Sequence, residues 1–281
     1  MGINKRLFFT LALSSVFILT AAALRPERTM SEDYVYIMRY DKKPNCDVLV
    51  AGNSRVDCDL IPEIMSPICG KTYLFAMNAA KLTPDFMGKI PEKLNPEGKK
   101  IILLAISPSE FYMRKDNNNK HFCRIHNMTP FRRKAEMHIF QRFAVPDLDP
   151  TKIRHGDGYH ELRYAPNPNA HNKELKNYRG FLPVPDAVII GFADDVRNLV
   201  NEGYTVLGCR FPTCPEMEKV EDEKWDYSAF RRITADAGMI WIDIDGEYET
   251  VDASHMTPDS ARRFSKKMAY KIKEIENSKA R

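Results

Sequence analysis

Short apolar runs alternate with longer amphipathic segments along most of the chain, which is the pattern of an α/β protein. The runs are short enough for strands, and several of them are nearly continuous in apolar residues, as expected of strands buried on both faces of a sheet. They predict strands at 47–51, 72–77, 100–106, 205–211 and 239–244. The segments between and after these runs predict helices at 60–68, 186–202 and 257–278, of which the last is amphipathic. Alternating strands and helices favour a parallel sheet that helices cover on both faces.

The middle of the chain breaks this alternation. Residues 112–185 are rich in asparagine, arginine, histidine and proline, and only 131–143 reads as a helix. Loops of this length inside a compact domain are usually functional or disordered. We therefore interpret 112–185 as a long, lid-like insertion in a single domain spanning 25–281, rather than as a second domain.

The N-terminus has the pattern of a targeting segment. Lys5 and Arg6 precede an apolar stretch at 7–24, which ends near three consecutive alanines. This order is typical of a secretory signal peptide, and the stretch is just long enough for an uncleaved signal anchor. Segment 1–24 therefore predicts export to a periplasmic, cell-surface or secreted location, with a membrane anchor if the segment is not cleaved. The alternative is a buried N-terminal helix.

Composition narrows the classes of partner. The 281 residues are 43% hydrophobic and 28% charged, with a net charge of +4. These values are ordinary for a globular domain, and no basic stripe interleaved with aromatic residues points to a nucleic-acid partner.

Six cysteines form an even set, which an oxidising compartment would allow to pair in disulfides. Cys58 with Cys69 and Cys209 with Cys214 would each close a short loop, but spacing does not settle the connectivity. Buried free thiols are the alternative. No Cys-x-x-Cys and no His–Cys cluster at metal-binding spacing occurs, so the sequence predicts neither a metal ion nor another cofactor.

A candidate nucleophile follows the first predicted strand, in the sequence Gly52-Asn53-Ser54-Arg55. In open α/β sheets, reactive groups cluster just beyond the carboxyl ends of the strands. A serine in a tight turn there exposes its hydroxyl, and neighbouring backbone N–H groups can face a developing oxyanion. Helix capping is the alternative role for such a serine.

A candidate base and acid lie at the other end of the chain, in Asp252-Ala253-Ser254-His255, just before the last predicted helix. A serine nucleophile needs a base, and an acid must hold that base in the right tautomer. This loop should return to the sheet edge that carries Ser54. The two motifs together predict a triad in which Ser54 attacks, His255 takes its proton and Asp252 orients the imidazole.

These two motifs resemble the first and last blocks of the SGNH (GDSL-type) hydrolase superfamily. Gly52-Asn-Ser-Arg resembles the Gly-[Asn/Ser]-Ser-Arg variant of its first block, found in many membrane-anchored or secreted bacterial members. Asp252-Ala-Ser-His-Met-Thr-Pro resembles its last block, which runs into the terminal helix. The resemblance implies a three-layer α/β/α fold with a flavodoxin-like parallel sheet, and hydrolysis or transfer of acyl esters.

The sequence departs from the superfamily pattern in the two middle blocks. At the second block, Met77-Asn78-Ala79-Ala80 contains no glycine, and at the third, Ile106-Ser-Pro-Ser-Glu-Phe111 replaces the Gly-x-Asn-Asp motif. The resemblance then implies an oxyanion hole built from the N–H groups of Ser54 and Ala79 and the side chain of Asn78, although Asn78 could equally be a structural turn residue. Asn53 and Arg55 are candidate substrate-binding residues, with a surface ion pair as the alternative for Arg55.

The sequence thus predicts an extracytoplasmic serine esterase that hydrolyses or transfers small, acetyl-like acyl groups. Export and the habits of the superfamily suggest ester or acylated carbohydrate of the cell envelope as the substrate. The changed oxyanion blocks favour a competing hypothesis, in which the protein is a non-catalytic SGNH-fold scaffold that binds glycan or an envelope complex.

Overall fold

The computed structural model of the protein describes residues 32–77, 81–111, 120–143, 152–155 and 158–279. In these ranges the strands are β1 (Val48–Gly52), β2 (Thr72–Ala76), β3 (Ile101–Ala105), β4 (Lys152–Arg154), β5 (His160–Leu162), β6 (Thr205–Cys209) and β7 (Ile240–Trp241). The helices are α1 (Glu32–Asp41), α2 (Ser54–Asp59), α3 (Pro62–Cys69), α4 (Pro84–Met87), α5 (Lys120–His126), α6 (Pro130–Phe143), α7 (Pro168–Arg179), α8 (Asp186–Asn201), α9 (Pro215–Asp222), α10 (Tyr227–Asp236) and α11 (Pro258–Lys279). Single 3₁₀ turns lie at Pro91–Lys93 and Pro108–Glu110.

A five-stranded sheet in the order β2-β1-β3-β6-β7 forms the centre of the protein, and every neighbouring pair in it is parallel. Counted along the chain within this sheet, the order is 2-1-3-4-5, one of the two common doubly wound orders. The connections therefore run in opposite directions on the two sides of β1. A crevice is expected at this switch point, beyond the carboxyl ends of β1 and β3.

The apolar residues of each inner strand alternate between two hydrophobic cores. In β1, Leu49 and Ala51 belong to the core under α1, α8 and α10, whereas Val48 and Val50 belong to the core under α3 and α11. The near-continuous apolar runs arise because both faces of the sheet are covered. The expected α/β architecture, with a parallel sheet between helices, is confirmed.

The predicted strands and helices all occur, with ends that differ by a few residues. The largest difference is at the sheet edge, where β7 covers only Ile240–Trp241 instead of 239–244. This strand pairs on one side only, and beyond it Asp243 turns outward to pair with Arg231 at 2.6 Å. Helices α1, α2, α4, α9 and α10 are additions to the predicted elements.

The described parts of the middle region contain more helices and strands than the sequence predicted. The predicted helix at 131–143 is present as α6, but α5, α7 and the antiparallel hairpin β4–β5 were missed. Helix α7 is polar over most of its length and buries only Leu175 and Tyr178, so its apolar stripe is too thin to stand out. Its start did carry a signal, since Asn167 caps it and Pro168 occupies its first turn.

All six cysteines are free thiols, so the disulfides that an oxidising compartment would allow are not formed. Four are buried and pack as small apolar residues, namely Cys46, Cys58, Cys69 and Cys209. Cys123 and Cys214 are half-buried.

The predicted signal segment 1–24 lies outside the described residues, and export stays a prediction. Among the residues that are described, no helix is both long enough and apolar enough to cross a bilayer.

A buried ion cluster ties α1 and the β4–β5 hairpin to α2. Arg39 of α1 donates to Asp57 Oδ1 at 2.6 Å and to the carbonyl oxygens of Ala76 and Gly158. Arg154 of the hairpin donates to Asp57 Oδ2 at 3.2 Å. The Asp57 and Arg39 side chains are only 3% and 1% exposed, so removal of the Asp57 carboxylate would leave the buried Arg39 charge without its counter-ion.

We expect Asp57→Asn to lower the free energy of unfolding by about 3–5 kcal/mol, because it leaves the Arg39 guanidinium buried beside a neutral amide. Denaturant unfolding of the full chain measures this change. The matched control is Asp259→Asn, which breaks the exposed pair with Arg262 and should not change stability measurably. Equal effects of the two substitutions would contradict the structural role of the cluster.

Candidate active site

The candidate nucleophile lies at the start of a short helix directly after β1. Asn53 caps α2, and its side-chain oxygen accepts a hydrogen bond from Arg55 N–H at 2.9 Å. Ser54 is the first helical residue and is half-buried. The turn needs glycine at position 52, because a Cβ there would lie 2.9 Å from Val56 Cγ2 and 3.1 Å from Ala105 Cβ.

The candidate base and acid lie in a loop that is closed by its own hydrogen bonds. Val251 N–H donates to the carbonyl of His255 at 2.8 Å. Asp252 Oδ1 accepts from the N–H groups of Ser254 and His255, at 2.7 and 2.8 Å. Oδ1 of this carboxylate therefore fixes the backbone of the loop, independently of any contact with the imidazole. Residues 250–257 are called the catalytic loop below.

The structure brings the three predicted residues into one chain of hydrogen bonds. His255 Nε2 lies 2.9 Å from Ser54 Oγ, and His255 Nδ1 lies 2.9 Å from Asp252 Oδ2. Both distances are within hydrogen-bonding range, and the order is that of nucleophile, base and orienting acid. Residues from the two ends of the described chain thus meet at the carboxyl edge of the sheet.

The electrostatics of the pair favour its charged form. Burial acts to raise the pKa of Asp252, but the charge and hydrogen bond of His255, with those from the loop amides, lower this pKa to about 2. Burial acts to lower the pKa of His255, but the Asp252 carboxylate raises it to about 9. Imidazolium is therefore the dominant form at neutral pH, and the neutral base becomes more abundant as the pH rises.

A further buried carboxylate joins the nucleophile helix to the catalytic loop. Asp59, at the end of α2, accepts a hydrogen bond from Met256 N–H at 2.8 Å through Oδ1. Its other oxygen has no hydrogen-bond partner among the described residues, and burial raises the pKa of Asp59 to about 7. Asp59 holds the loop at a fixed distance from Ser54.

The end of β3 supplies a third group of polar side chains. Asn53 Nδ2 donates to Ser109 Oγ at 3.1 Å, and Ser109 Oγ lies 2.6 Å from Ser107 Oγ. Glu110 Oε2 accepts from the N–H and hydroxyl of Ser107, which forms a capping box. Burial raises the pKa of Glu110 to about 7. The segment that departs from the superfamily's third block is therefore a network that fixes Asn53.

Arg55 points into the protein interior. Its guanidinium side chain is 2% exposed and donates to Glu221 at 2.6 Å and to the hydroxyl of Tyr178 at 3.3 Å. Glu221 also accepts from Arg210 at 3.1 Å. Arg55 thus forms the ion pair weighed as the alternative, but within the interior instead of at the surface. Asn53 is likewise buried as a cap, and a substrate contact through either residue stays a prediction.

The predicted oxyanion donors are described only in part. Asn78 and Ala79 lie outside the described residues. In the first turn of α2, Arg55 N–H donates to the side-chain oxygen of Asn53 at 2.9 Å, and Val56 N–H donates to its carbonyl oxygen at 3.1 Å. Ser54 N–H has no acceptor among the described residues, which leaves it open to a developing oxyanion.

Sequence reasoning missed the residues that hold the triad in place. Asp59, Ser109, Tyr178 and Glu221 come from four separate segments, and no motif marks them. The one available signal was the serine-rich turn after β3, at the strand end where a polar network is expected.

Comparisons with known proteins identify no relative of this chain. No protein-family model, no curated protein and no solved structure gives a significant match to the chain. The functional argument therefore depends on the geometry of the site.

We expect the imidazole of His255 to titrate near pH 9, and Asp252→Asn to move its pKa back toward the ordinary 6.5, because the charged partner is lost while burial persists. Imidazole NMR of the full chain measures both values. Because the folded pKa of His255 is raised to about 9 and that of Asp252 is lowered to about 2, the pair stabilises the fold fully between about pH 4 and pH 6.5. This contribution is lost as the pH rises through about 9 or falls through about 2. A His255 pKa that ignores the substitution would contradict the pairing.

Proposed function

We propose that this protein is an extracytoplasmic serine esterase of the SGNH type, which hydrolyses or transfers small acyl groups. One observation carries the proposal: Ser54 Oγ, His255 and Asp252 form a continuous relay with both contacts at 2.9 Å. The relay joins Ser54 to a loop 201 residues further along the chain, and Asp252 is largely buried within it. A function for the relay explains why the fold keeps it.

The geometry supports a two-step acyl transfer. Ser54 Oγ attacks the ester carbonyl carbon while its proton passes to His255 Nε2, and the Asp252 carboxylate stabilises the resulting imidazolium. The tetrahedral intermediate expels the alcohol, which takes the proton from His255, and leaves the acyl group on Ser54. Water, or the hydroxyl of an acceptor, then attacks this acyl-enzyme with His255 again as the base, and Ser54 is regenerated.

The position of the relay in the sheet supports the SGNH assignment. The nucleophile follows the first strand of a sheet with the order 2-1-3-4-5, the flavodoxin-like order, and lies at its switch point. The base and acid lie in the loop before the last helix, α11. Both placements are those that the resemblance implies.

The substrate proposal rests on the predicted location of the protein and on its resemblance to the SGNH superfamily. The N-terminal segment 1–24 favours an extracytoplasmic location, and the resemblance favours acetyl-like esters on cell-envelope carbohydrate. The surroundings of the site agree with a polar substrate, since Glu174 and Tyr164 bond to Ser254 and Asp252 of the catalytic loop.

We expect a fluorophosphonate probe to label the full chain at Ser54, because the relay activates this hydroxyl. Ser54→Ala and His255→Ala should abolish labelling and lower the kcat for a phenyl acetate ester by about 10⁴–10⁶-fold. Peptide mass spectrometry locates the adduct, and an absorbance assay follows turnover.

The matched control for this experiment is Ser228→Ala, which removes an exposed hydroxyl and should leave both labelling and turnover unchanged. A folded wild-type chain that neither reacts with the probe nor cleaves acetyl esters would refute the esterase proposal. That outcome would instead favour the non-catalytic, glycan-binding hypothesis.

We also expect kcat/KM to rise with pH with an inflection near pH 9, because only neutral His255 can accept the proton of Ser54. Initial rates between pH 6 and 10 measure this profile after subtraction of the Ser54→Ala background, which removes spontaneous ester hydrolysis. Asp252→Asn should lower the rate by roughly 10³–10⁴-fold and move the inflection to lower pH. An inflection that stays in place in this variant would assign the titration to another group.

A further inference from the structure

Three side chains with metal-ligand chemistry converge where α7 meets the start of α9. His171, Cys214 and Glu216 each offer one ligand atom, and these atoms all lie within 4.8 Å of one another. They come from two separate elements, since His171 lies in α7 whereas Cys214 caps α9 and Glu216 lies in its first turn. The two half-buried side chains and the exposed carboxylate leave room for a solvent ligand.

We propose that His171, Cys214 and Glu216 bind a Zn²⁺ ion, with water as the fourth ligand. Bond lengths of about 2.0–2.3 Å place tetrahedral ligand atoms about 3.5 Å apart. The present spacing reaches this value with side-chain rotation, most readily at the exposed Glu216. A single thiolate, imidazole and carboxylate is a borderline donor set that suits Zn²⁺ and disfavours Mg²⁺ and Ca²⁺, which prefer oxygen ligands.

The local backbone fixes the positions of Cys214 and His171. Cys214 Sγ accepts from Met217 N–H at 3.4 Å, in the capping position of α9. Burial raises the pKa of the Cys214 thiol and the Met217 N–H offsets this only in part, so Zn²⁺ itself would displace the thiol proton on binding. His171 is fixed in the first turns of α7, where its N–H donates to the carbonyl of Asn167 at 2.9 Å.

The site lies directly behind the catalytic loop. Cys214 N–H donates to the carbonyl of Ala253 at 3.3 Å, and Asn167 N–H donates to the carbonyl of Val251 at 3.1 Å. A metal ion that joins His171 to Cys214 would therefore clamp α7 to α9 across the outside of this loop. The ion acts by bracing the loop and takes no part in the proposed acyl transfer, so the site stands even if the esterase proposal fails.

The test uses the full chain, purified without a histidine tag, stripped with a chelator and kept reduced. We expect calorimetric titration with Zn²⁺ to show one equivalent bound, and Co²⁺ to give a thiolate-to-metal charge-transfer band. Cys214→Ser should abolish the band, and Cys214→Ser or His171→Gln should each weaken Zn²⁺ binding by about 100-fold or more. Cys123→Ser is the matched control, because it removes the other half-buried thiol and should leave binding intact.

Alkylation gives a second measurement inside one molecule. We expect Zn²⁺ to slow the reaction of Cys214 with iodoacetamide, read by peptide mass spectrometry, while Cys123 reacts at an unchanged rate. This comparison does not depend on whether any variant folds. The proposal is overturned if the wild-type chain binds no Zn²⁺, if binding survives both ligand substitutions, or if Zn²⁺ fails to protect Cys214.

Discussion

The carboxylate of Asp252 is the contact on which the candidate site depends. One of its oxygens holds the amides of Ser254 and His255, and the other holds the imidazole of His255 at 2.9 Å. Without the first set of bonds the catalytic loop would have no fixed conformation, and without the second the imidazole would have no fixed orientation. A single buried charge therefore sets both the backbone and the base, and its stabilisation by these donors compensates for its burial.

Helix α2, which carries the candidate nucleophile, is held by polar side chains that point in three directions. Asp57 faces Arg39 of α1, Asp59 faces the amide of Met256 in the catalytic loop, and Arg55 faces Glu221 of α9. A helix of six residues has little stability of its own. These buried polar contacts are individually expensive, but each has a strict geometry, so together they define where Ser54 lies more narrowly than apolar packing would.

The sheet and the triad were predictable because their signals are local. A strand buried on both faces, such as β3, needs an uninterrupted apolar run, and a nucleophile at a strand end needs a tight turn like that at Gly52. The partners of Arg55 were not predictable, because a polar residue that will be buried looks the same in sequence as one that will be solvated. The same holds for His171 and Cys214, which are far apart in the chain and match no metal-binding spacing until α7 and α9 pack together.

The segment first interpreted as an insertion proves to be part of the site's support. From α7, Tyr178 donates to Ser109 at the end of β3, Glu174 accepts from Ser254 in the catalytic loop, and His171 faces Cys214. The hairpin β4–β5 adds Arg154 to the carboxylate of Asp57. A lid would need contacts that open easily, whereas those at Asp57 and Ser109 are buried and would leave polar groups without partners when broken. The described part of this region therefore acts as a fixed wall of the site, against which the catalytic loop and the nucleophile helix are both held.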